Sequence, residues 1–298
     1  MTVRPPAPLE GVPVGAEGSG PYAVTTGPDG ALWVTLIHAG QIARVSLDGT
    51  VLVHPLDSPT CQPAQLTVGP DKALWFARSG DDTIGRITTD GRTARFPVTP
   101  GSAPYGITTG PDGALWFTAM SADHIGRLTV DGDLSEIVLP TAHSLPSMIT
   151  TGPGRALWFT LHHANAVGRI VLGDQPEIHP LPTPGAGPVG IHGGPAGVWF
   201  TEIIAARVGH ITPDGQIREI TLPDRHARPH AVLTDVAGTG CWVTEWGTSR
   251  LAHVDLHGGV HEIELPLGGE PHGLTVGPDG ALWIALEAGY LHRVASGS

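Results

Sequence analysis

The chain has 298 residues, including 42 glycines and 29 prolines, with 15% charged residues and a formal net charge of −12. This much glycine and proline favours many turns and few long helices. The acidic balance argues against a nucleic-acid partner, whose phosphate backbone needs a basic surface. No apolar run approaches the roughly 20 residues that cross a bilayer, so we expect no membrane span.

The N-terminal sequence and the cysteines bear on the compartment. The first residues, MTVRPPAPLEGVPVG, lack the apolar segment of a secretory signal. Cys61 and Cys241 stand alone, without the close spacing of a metal or redox motif. Isolated cysteines of this kind indicate free thiols in a reducing environment. We therefore expect a cytoplasmic protein.

A tryptophan recurs every 41 to 43 residues, in five of the seven cases within the sequence A-L-W. The series consists of Trp33, Trp75, Trp116, Trp158, Trp199, Trp242 and Trp283. Seven units of this period account for almost the whole chain. An internal repeat of this length indicates a repeat architecture such as a solenoid or a propeller.

The third unit shows the predicted elements in chain order. They are a proline-led apolar strand (104–108), a Gly-Pro-Asp-Gly turn (110–113), a tryptophan strand (114–118), a third strand (125–129), an Asp-Gly turn (131–132) and an alternating strand (134–140). Four short strands in each unit of about 40 residues are typical of a propeller blade. The sequence therefore predicts an all-β fold, a seven-bladed β-propeller with four-stranded antiparallel blades, as one domain over residues 1–298.

The two ends of the chain complement each other. The last unit has only three strands after Pro271, whereas residues 3–14 have the composition of a fourth strand. We expect this N-terminal segment to pair with the last blade and close the ring, because closure removes an exposed sheet edge. A closed ring without a spare apolar segment makes a monomer the expected state.

The first strand of each blade lines the central channel of a propeller, so the starts of these strands meet around one mouth. The residues after the leading prolines are Tyr22, Ala64, Tyr105, Ser147, Val189, His230 and His272. The last two blades thus carry histidines at equivalent positions. Tyr22 and Tyr105 would add aromatic surface around the same mouth.

Blade seven also carries two glutamates near this mouth. Glu270 is the only acidic residue that directly precedes a leading proline. The residues that follow the tryptophan strands are Leu36, Arg78, Ala119, Leu161, Glu202, Glu245 and Leu286, and Glu287 comes one step after the last of them. Two carboxylates without their own cation take up protons or bind a hard cation, and such a pair with water suits Mg²⁺. A nearby histidine, with an ordinary pKa near ~6.5, suits proton transfer.

Several residues have more than one interpretation. Glu202 and Glu245 either hydrogen-bond to neighbouring blades or shape the site. Histidines that do not directly follow a leading proline, such as His38, are interpreted as surface or hydrogen-bonding residues. Trp246 falls outside the tryptophan series, and we expect it near the rim of the pocket. The G-x-S-x-G, H-E-x-x-H and P-loop motifs are missing, which argues against serine hydrolases, zinc proteases and nucleotide-binding enzymes.

Several segments resemble those of the virginiamycin B lyase family of seven-bladed propellers, and the resemblance covers nearly the whole chain. Its most specific parts are ARPHAV (227–232), TEWG (244–247) and EPHGL (270–274), followed by a glutamate after the last tryptophan strand. The resemblance implies a Mg²⁺-dependent carbon–oxygen lyase that linearises streptogramin B antibiotics, which are cyclic depsipeptides, by elimination at the ester linkage. Such an activity confers antibiotic resistance.

The resemblance also implies the roles of the site residues. Glu270 and Glu287 would hold Mg²⁺, His272 would be the general base, and His230 would contact the substrate. Tyr22, Tyr105 and Trp246 complete the predicted binding surface. Two segments, CQPAQLT (61–67) and LHHANAV (161–167), depart from the family pattern and bear on which ring substituents fit. A metal-dependent lactone or ester hydrolase and a non-catalytic scaffold that binds peptides or carbohydrates are the alternatives.

Overall fold

Short strands and tight turns dominate the molecule, as the repeat predicts. The computed structural model describes residues 11–265 and 269–295. Within these ranges 28 β-strands form seven four-stranded antiparallel sheets, and the single helical element is a 3-10 turn at Pro153–Arg155. Each sheet is one blade, so the predicted seven-bladed β-propeller is confirmed.

The strands of each blade follow one another outward from the channel, except that the outer strand of blade seven comes from the N-terminal segment. The inner strands are Pro21–Thr26 (β2), Pro63–Val68 (β6), Pro104–Thr109 (β10), Pro146–Gly152 (β14), Pro188–Gly194 (β18), Pro229–Thr234 (β22) and Pro271–Val276 (β26). The second strands are Leu32–Leu36 (β3), Leu74–Arg78 (β7), Leu115–Ala119 (β11), Ala156–Leu161 (β15), Gly197–Glu202 (β19), Gly240–Glu245 (β23) and Leu282–Leu286 (β27).

The third and outer strands complete the blades. The third strands are Gln41–Val45 (β4), Thr83–Ile87 (β8), His124–Leu128 (β12), Ala166–Ile170 (β16), Arg207–Ile211 (β20), Arg250–Asp255 (β24) and Tyr290–Val294 (β28). The outer strands are Val51–Pro55 (β5), Thr93–Pro97 (β9), Leu134–Val138 (β13), Glu177–Pro180 (β17), Ile217–Thr221 (β21), Val260–Glu264 (β25) and Gly11–Pro13 (β1).

The ring closes where the two ends of the chain meet. Strand β1 pairs antiparallel with β28, with Val12 opposite Leu291. Each inner strand also contacts the inner strands of both neighbouring blades, from β2 around to β26 and back to β2. The predicted closure by the N-terminal strand is therefore confirmed for Gly11–Pro13, and residues 3–10 of the predicted segment lie outside the described residues.

The core lies between the blades. The repeated tryptophans on the second strands are nearly all buried, and each packs against aliphatic and aromatic residues of the following blade; Trp116, for example, contacts the cluster that contains Phe159. The glycine of each I-G-R segment makes room for a phenylalanine on the second strand. A Cβ at Gly126 would lie 2.0 Å from Cζ of Phe117. This packing holds the inner strands in place around the channel. Among the described residues, no helix is long and apolar enough to span a membrane.

Candidate active site

Each inner strand has a shift in its pairing register around the residue that follows the leading proline. In β26 the pairing register shifts between Pro271 and Leu274, so His272 falls within the irregular part of the strand. The same shift occurs around His230, Tyr22 and Tyr105. A bulge changes the direction of a side chain locally. The repeat therefore aims four of the predicted site residues toward one end of the channel.

Threonines of the preceding blade fix the backbone at the two histidines. The hydroxyl of Thr201 donates to the His230 carbonyl at 2.8 Å, and the hydroxyl of Thr244 donates to the His272 carbonyl at 2.8 Å. Both threonines are fully buried. These bonds connect neighbouring blades at the two histidines. The threonines of the W-F-T and W-V-T segments therefore help to hold the histidine backbone in place.

Glu287 is the centre of the polar cluster in blade seven. Its Oε2 lies 2.7 Å from Nε2 of His272, and its Oε1 lies 2.8 Å from Nε2 of His38. The backbone N–H of Glu287 donates to the Glu270 carbonyl at 3.2 Å. The two predicted metal ligands and the predicted base therefore lie together, on the same face of the propeller.

The surroundings lower the pKa values of both Glu287 and His272. Burial by itself would raise the pKa of Glu287, but the hydrogen bonds from His38 and His272 outweigh it and lower that pKa. Burial lowers the pKa of His272, although its bond to Glu287 acts in the opposite direction. A carboxylate can only accept hydrogen bonds, so the proton of neutral His272 lies on Nε2. Its Nδ1, buried and without a hydrogen-bond partner, then carries the lone pair.

His230 lies beside this cluster in a second polar group. Its ring centroid is 4.7 Å from that of His272. The Nε2 atom of His230 is 3.1 Å from the Tyr22 hydroxyl, and the Tyr22 hydroxyl is also hydrogen-bonded to the Tyr105 hydroxyl. Burial, followed by the neighbouring His272, lowers the pKa of His230 to about 3. His230 is therefore a neutral ring at physiological pH.

Trp246 and Arg228 form the rim next to the histidines. The Trp246 ring centroid lies 6.4 Å from that of His272, and the Arg228 guanidinium stacks over the Trp246 ring at 5.2 Å. Two adjoining cavities of about 410 and 510 Å³ share these two residues, and Glu270 lines the larger one. The structure therefore places Trp246 at the rim of these cavities, the kind of position expected from the sequence.

The donor set fits a hard divalent cation. Among the described residues, no three histidine, cysteine, aspartate or glutamate side chains form a group that could hold a metal ion. Mg²⁺ commonly binds one or two protein carboxylates and completes its shell with water and substrate oxygens. Glu270, which lines the larger cavity, and Glu287, joined to it by a backbone hydrogen bond, are two carboxylates of this kind.

Glu202 and Glu245 lie outside this cluster. Both are fully buried, and each is paired with the leading proline of its own blade. In blade seven, Glu287 lies one residue beyond the equivalent position. Glu202 lies beside Glu219, and Glu245 lies beside Glu262. Successive residues of a strand face opposite sides, so these carboxyl groups point into the blades rather than toward the mouth.

His38 is the site residue that the sequence interpretation missed. It follows the second strand of blade one and lies in the polar cluster through its bond to Glu287. The repeat could have indicated His38 as a site residue. His38 comes two residues after the end of β3, in the loop equivalent to the one where Glu287 follows β27. Only the closed ring shows that blade one adjoins blade seven at this point.

A family model for the virginiamycin B lyases matches residues 7–294. The chain belongs to the virginiamycin B lyase family. A virginiamycin B lyase from Nocardia farcinica is 51% identical over 55 residues, and one from Mycolicibacterium smegmatis is 55% identical over 51 residues. These alignments cover 18% and 17% of this chain and only 20% and 17% of the relatives' lengths.

Solved structures extend the family likeness over the whole ring. The selenomethionine-substituted virginiamycin B lyase from Staphylococcus aureus is 38% identical, covers 95% of this chain and 97% of its own, and superposes with a TM-score of 0.90. A catalytically inactive histidine-to-alanine variant of the same lyase, solved with quinupristin, is 37% identical over the same shares, also with a TM-score of 0.90. A gluconolactonase-like structure at 15% identity shares the fold alone.

Proposed function

We propose that this chain linearises streptogramin B antibiotics as a carbon–oxygen lyase. Family membership supports the reaction class, and the lyase solved with quinupristin supports a cyclic peptide antibiotic as the substrate. The observation that carries the proposal is the pairing of His272 with Glu287 beside Glu270. A neutral imidazole beside two carboxylates supports a general base acting next to a bound cation.

His272 acts as the general base in this proposal. Its imidazole removes the α-proton of the residue whose side-chain oxygen closes the ring. The electron pair of the broken C–H bond forms the Cα–Cβ double bond, and the Cβ–O bond breaks with its electrons leaving on the carboxylate. The products are a dehydrated residue and a free carboxylate, and no water is consumed. The bond from Nε2 to Glu287 holds the ring in a fixed orientation.

Glu270 and Glu287 would hold Mg²⁺ at the mouth. When bound, the ion supplies positive charge that stabilises the negative charge developing on the substrate as the α-proton leaves. An imidazole alone is too weak a base for an ordinary α-proton, so the activity should need both the ion and His272. His38 keeps the second carboxylate oxygen of Glu287 oriented.

The substrate would occupy the rim cavities. The combined volume of the two cavities is large enough for a ring-bearing cyclic peptide, because drug-sized ligands occupy pockets of about 300–1,000 Å³. Trp246 offers a flat apolar face in one of them, and the neutral His230 ring lies 4.7 Å from the His272 ring without adding a charge. We place the reaction in the cytoplasm, a proposal that the two free, buried cysteines Cys61 and Cys241 support.

Product mass tests the proposal directly. The protein is incubated with quinupristin with and without Mg²⁺, and the product is analysed by mass spectrometry. Elimination leaves the mass of the cyclic substrate unchanged while opening the ring, and the new double bond adds ultraviolet absorbance. A mass increase of one water would indicate a hydrolase instead. Intact cyclic substrate under all conditions, with binding measured by calorimetry, would indicate a scaffold without chemistry.

A further inference from the structure

Three aromatic side chains from distant blades meet inside the channel. Tyr105, from blade three, hydrogen-bonds through its hydroxyl to the hydroxyl of Tyr22, from blade one. The Tyr22 hydroxyl in turn lies 3.1 Å from Nε2 of His230, in blade six. The phenol of Tyr105 therefore reaches His230 only through Tyr22.

Both phenols are neutral hydrogen-bonding groups. Burial, together with the neighbouring Tyr105, raises the pKa of Tyr22 well above its usual value, and burial also raises the pKa of Tyr105. A neutral phenol donates one hydrogen bond and can also accept one. Tyr22 can therefore serve both partners at once, and hydrogen bonds in such a chain strengthen one another.

The ring of Tyr105 and its hydroxyl have separate roles. The ring packs against two hydrophobic clusters, one that contains Met148 and one that contains Tyr22. Among the described residues, the hydroxyl has the Tyr22 hydroxyl as its hydrogen-bond partner. The rim cavities beside His272 are lined by other residues, Trp246 and Arg228 among them, and Tyr105 is not part of either lining. The hydroxyl of Tyr105 is therefore connected to the histidines through the Tyr22 hydroxyl.

We infer that Tyr105 is a positioning residue that orients His230 through the Tyr22 hydroxyl. The inference deepens the proposed function, on which it rests, and it assigns Tyr105 a positioning role where the sequence predicted a substrate contact. Removal of the Tyr105 hydroxyl takes away one of the two hydrogen-bond partners of the Tyr22 hydroxyl. Tyr22 is then free to rotate or to reverse its bond to His230, so the imidazole loses a fixed orientation.

A double-mutant cycle on turnover separates positioning from substrate contact. Tyr105→Phe keeps the packed ring and should lower kcat/KM about 2- to 10-fold, as expected for one lost hydrogen bond. Tyr22→Phe should lower it at least as much. The double variant should match Tyr22→Phe alone, because Tyr105 then has nothing left to act through. Tyr290→Phe, at the exposed third tyrosine, is the matched control and should leave kcat/KM unchanged. Additive losses in the double variant would overturn the inference.

A second measurement needs neither substrate nor metal. The ¹⁵N resonance of His230 Nε2, assigned by its loss in His230→Ala, reports the hydrogen bond at that nitrogen. Tyr105→Phe should shift this resonance in the same direction as Tyr22→Phe, while melting temperatures stay within about 2 °C of the wild type. An unchanged His230 resonance in Tyr105→Phe would disprove the positioning role. A shifted resonance in a protein without lyase activity would instead count against the proposed function alone.

Discussion

The backbone N–H of Glu287 donates to the carbonyl of Glu270 at 3.2 Å, and this bond brings the two predicted metal ligands side by side. The equivalent bond recurs in other blades, for example from Ile37 to Gly20 and from Trp246 to Arg228. Glu270 has a φ of 55°, and the residue before the leading proline has a positive φ in every blade. This backbone hydrogen bond and the positive φ are therefore properties of the repeat. Blade seven differs in that both residues joined by the bond carry a carboxylate.

We expect the carboxylate pair to bind Mg²⁺. Glu270→Gln and Glu287→Gln should each weaken Mg²⁺ binding at least about 10-fold and lower turnover about 10²-fold, because an amide oxygen is a weaker ligand than a carboxylate. Calorimetric titration with Mg²⁺ and a turnover assay check the two effects separately. Glu264→Gln, at an exposed position on an outer strand, is the control. EDTA should abolish turnover and added Mg²⁺ restore it; full activity in EDTA would refute the metal requirement.

Replacement of the predicted base should remove most of the activity. His272→Ala should lower kcat by at least about 10²-fold, the size of effect that a lost general base produces. His257→Ala, at an exposed histidine, is the matched control and should retain wild-type kcat. Circular dichroism and the melting temperature establish that both variants are folded. Wild-type kcat in His272→Ala would show that another group removes the proton.

His38 should have a smaller effect than His272. Its side chain is about half exposed and hydrogen-bonds to Oε1 of Glu287 at 2.8 Å. His38→Ala should therefore lower kcat/KM about 2- to 10-fold, the effect of one hydrogen bond to an oriented carboxylate. His38→Gln keeps a donor of similar reach and should recover part of the loss. A loss as large as that of His272→Ala would mean that His38 takes part in the chemistry directly.

The buried glutamates of blades five and six should make stability fall with rising pH. Burial, and then the charge of Glu219, raises the pKa of Glu202 to about 8, and burial raises the pKa of Glu245 to about 7. Glu219 itself pairs with Arg207 at 3.0 Å.

The sign follows from proton uptake. Between the ordinary glutamate pKa near ~4.5 and the raised values, the folded state binds more protons than the unfolded state, so the free energy of unfolding decreases as pH rises. Glu202→Gln cannot ionise and should raise the melting temperature by about 2 °C or more at pH 8.5 relative to wild type, with a smaller gain at pH 5. Scanning calorimetry at both pH values measures this difference. An equal change at the two pH values would show that Glu202 does not titrate between them.

The sequence by itself determined the architecture, because each blade carries its own strand pattern and its own turns. The proline-led strand, the tryptophan strand and the Gly-containing turns are local signals, and their period counts the blades without any knowledge of long-range contacts. The same repeat also singled out His230 and His272, since equivalent positions of a ring necessarily converge at one mouth.

Only the tertiary structure decided which side chains touch. His38 meets Glu287 across the closure of the ring, 249 residues apart, and Tyr22 meets His230 across 208 residues. Such contacts depend on the ring radius, the bulges and the rotamers, none of which a repeat pattern encodes. Glu202 and Glu245 turned inward because one step along a strand reverses the direction of a side chain. The sequence thus named the positions around the mouth, and the direction of each side chain depended on how the closed ring packs.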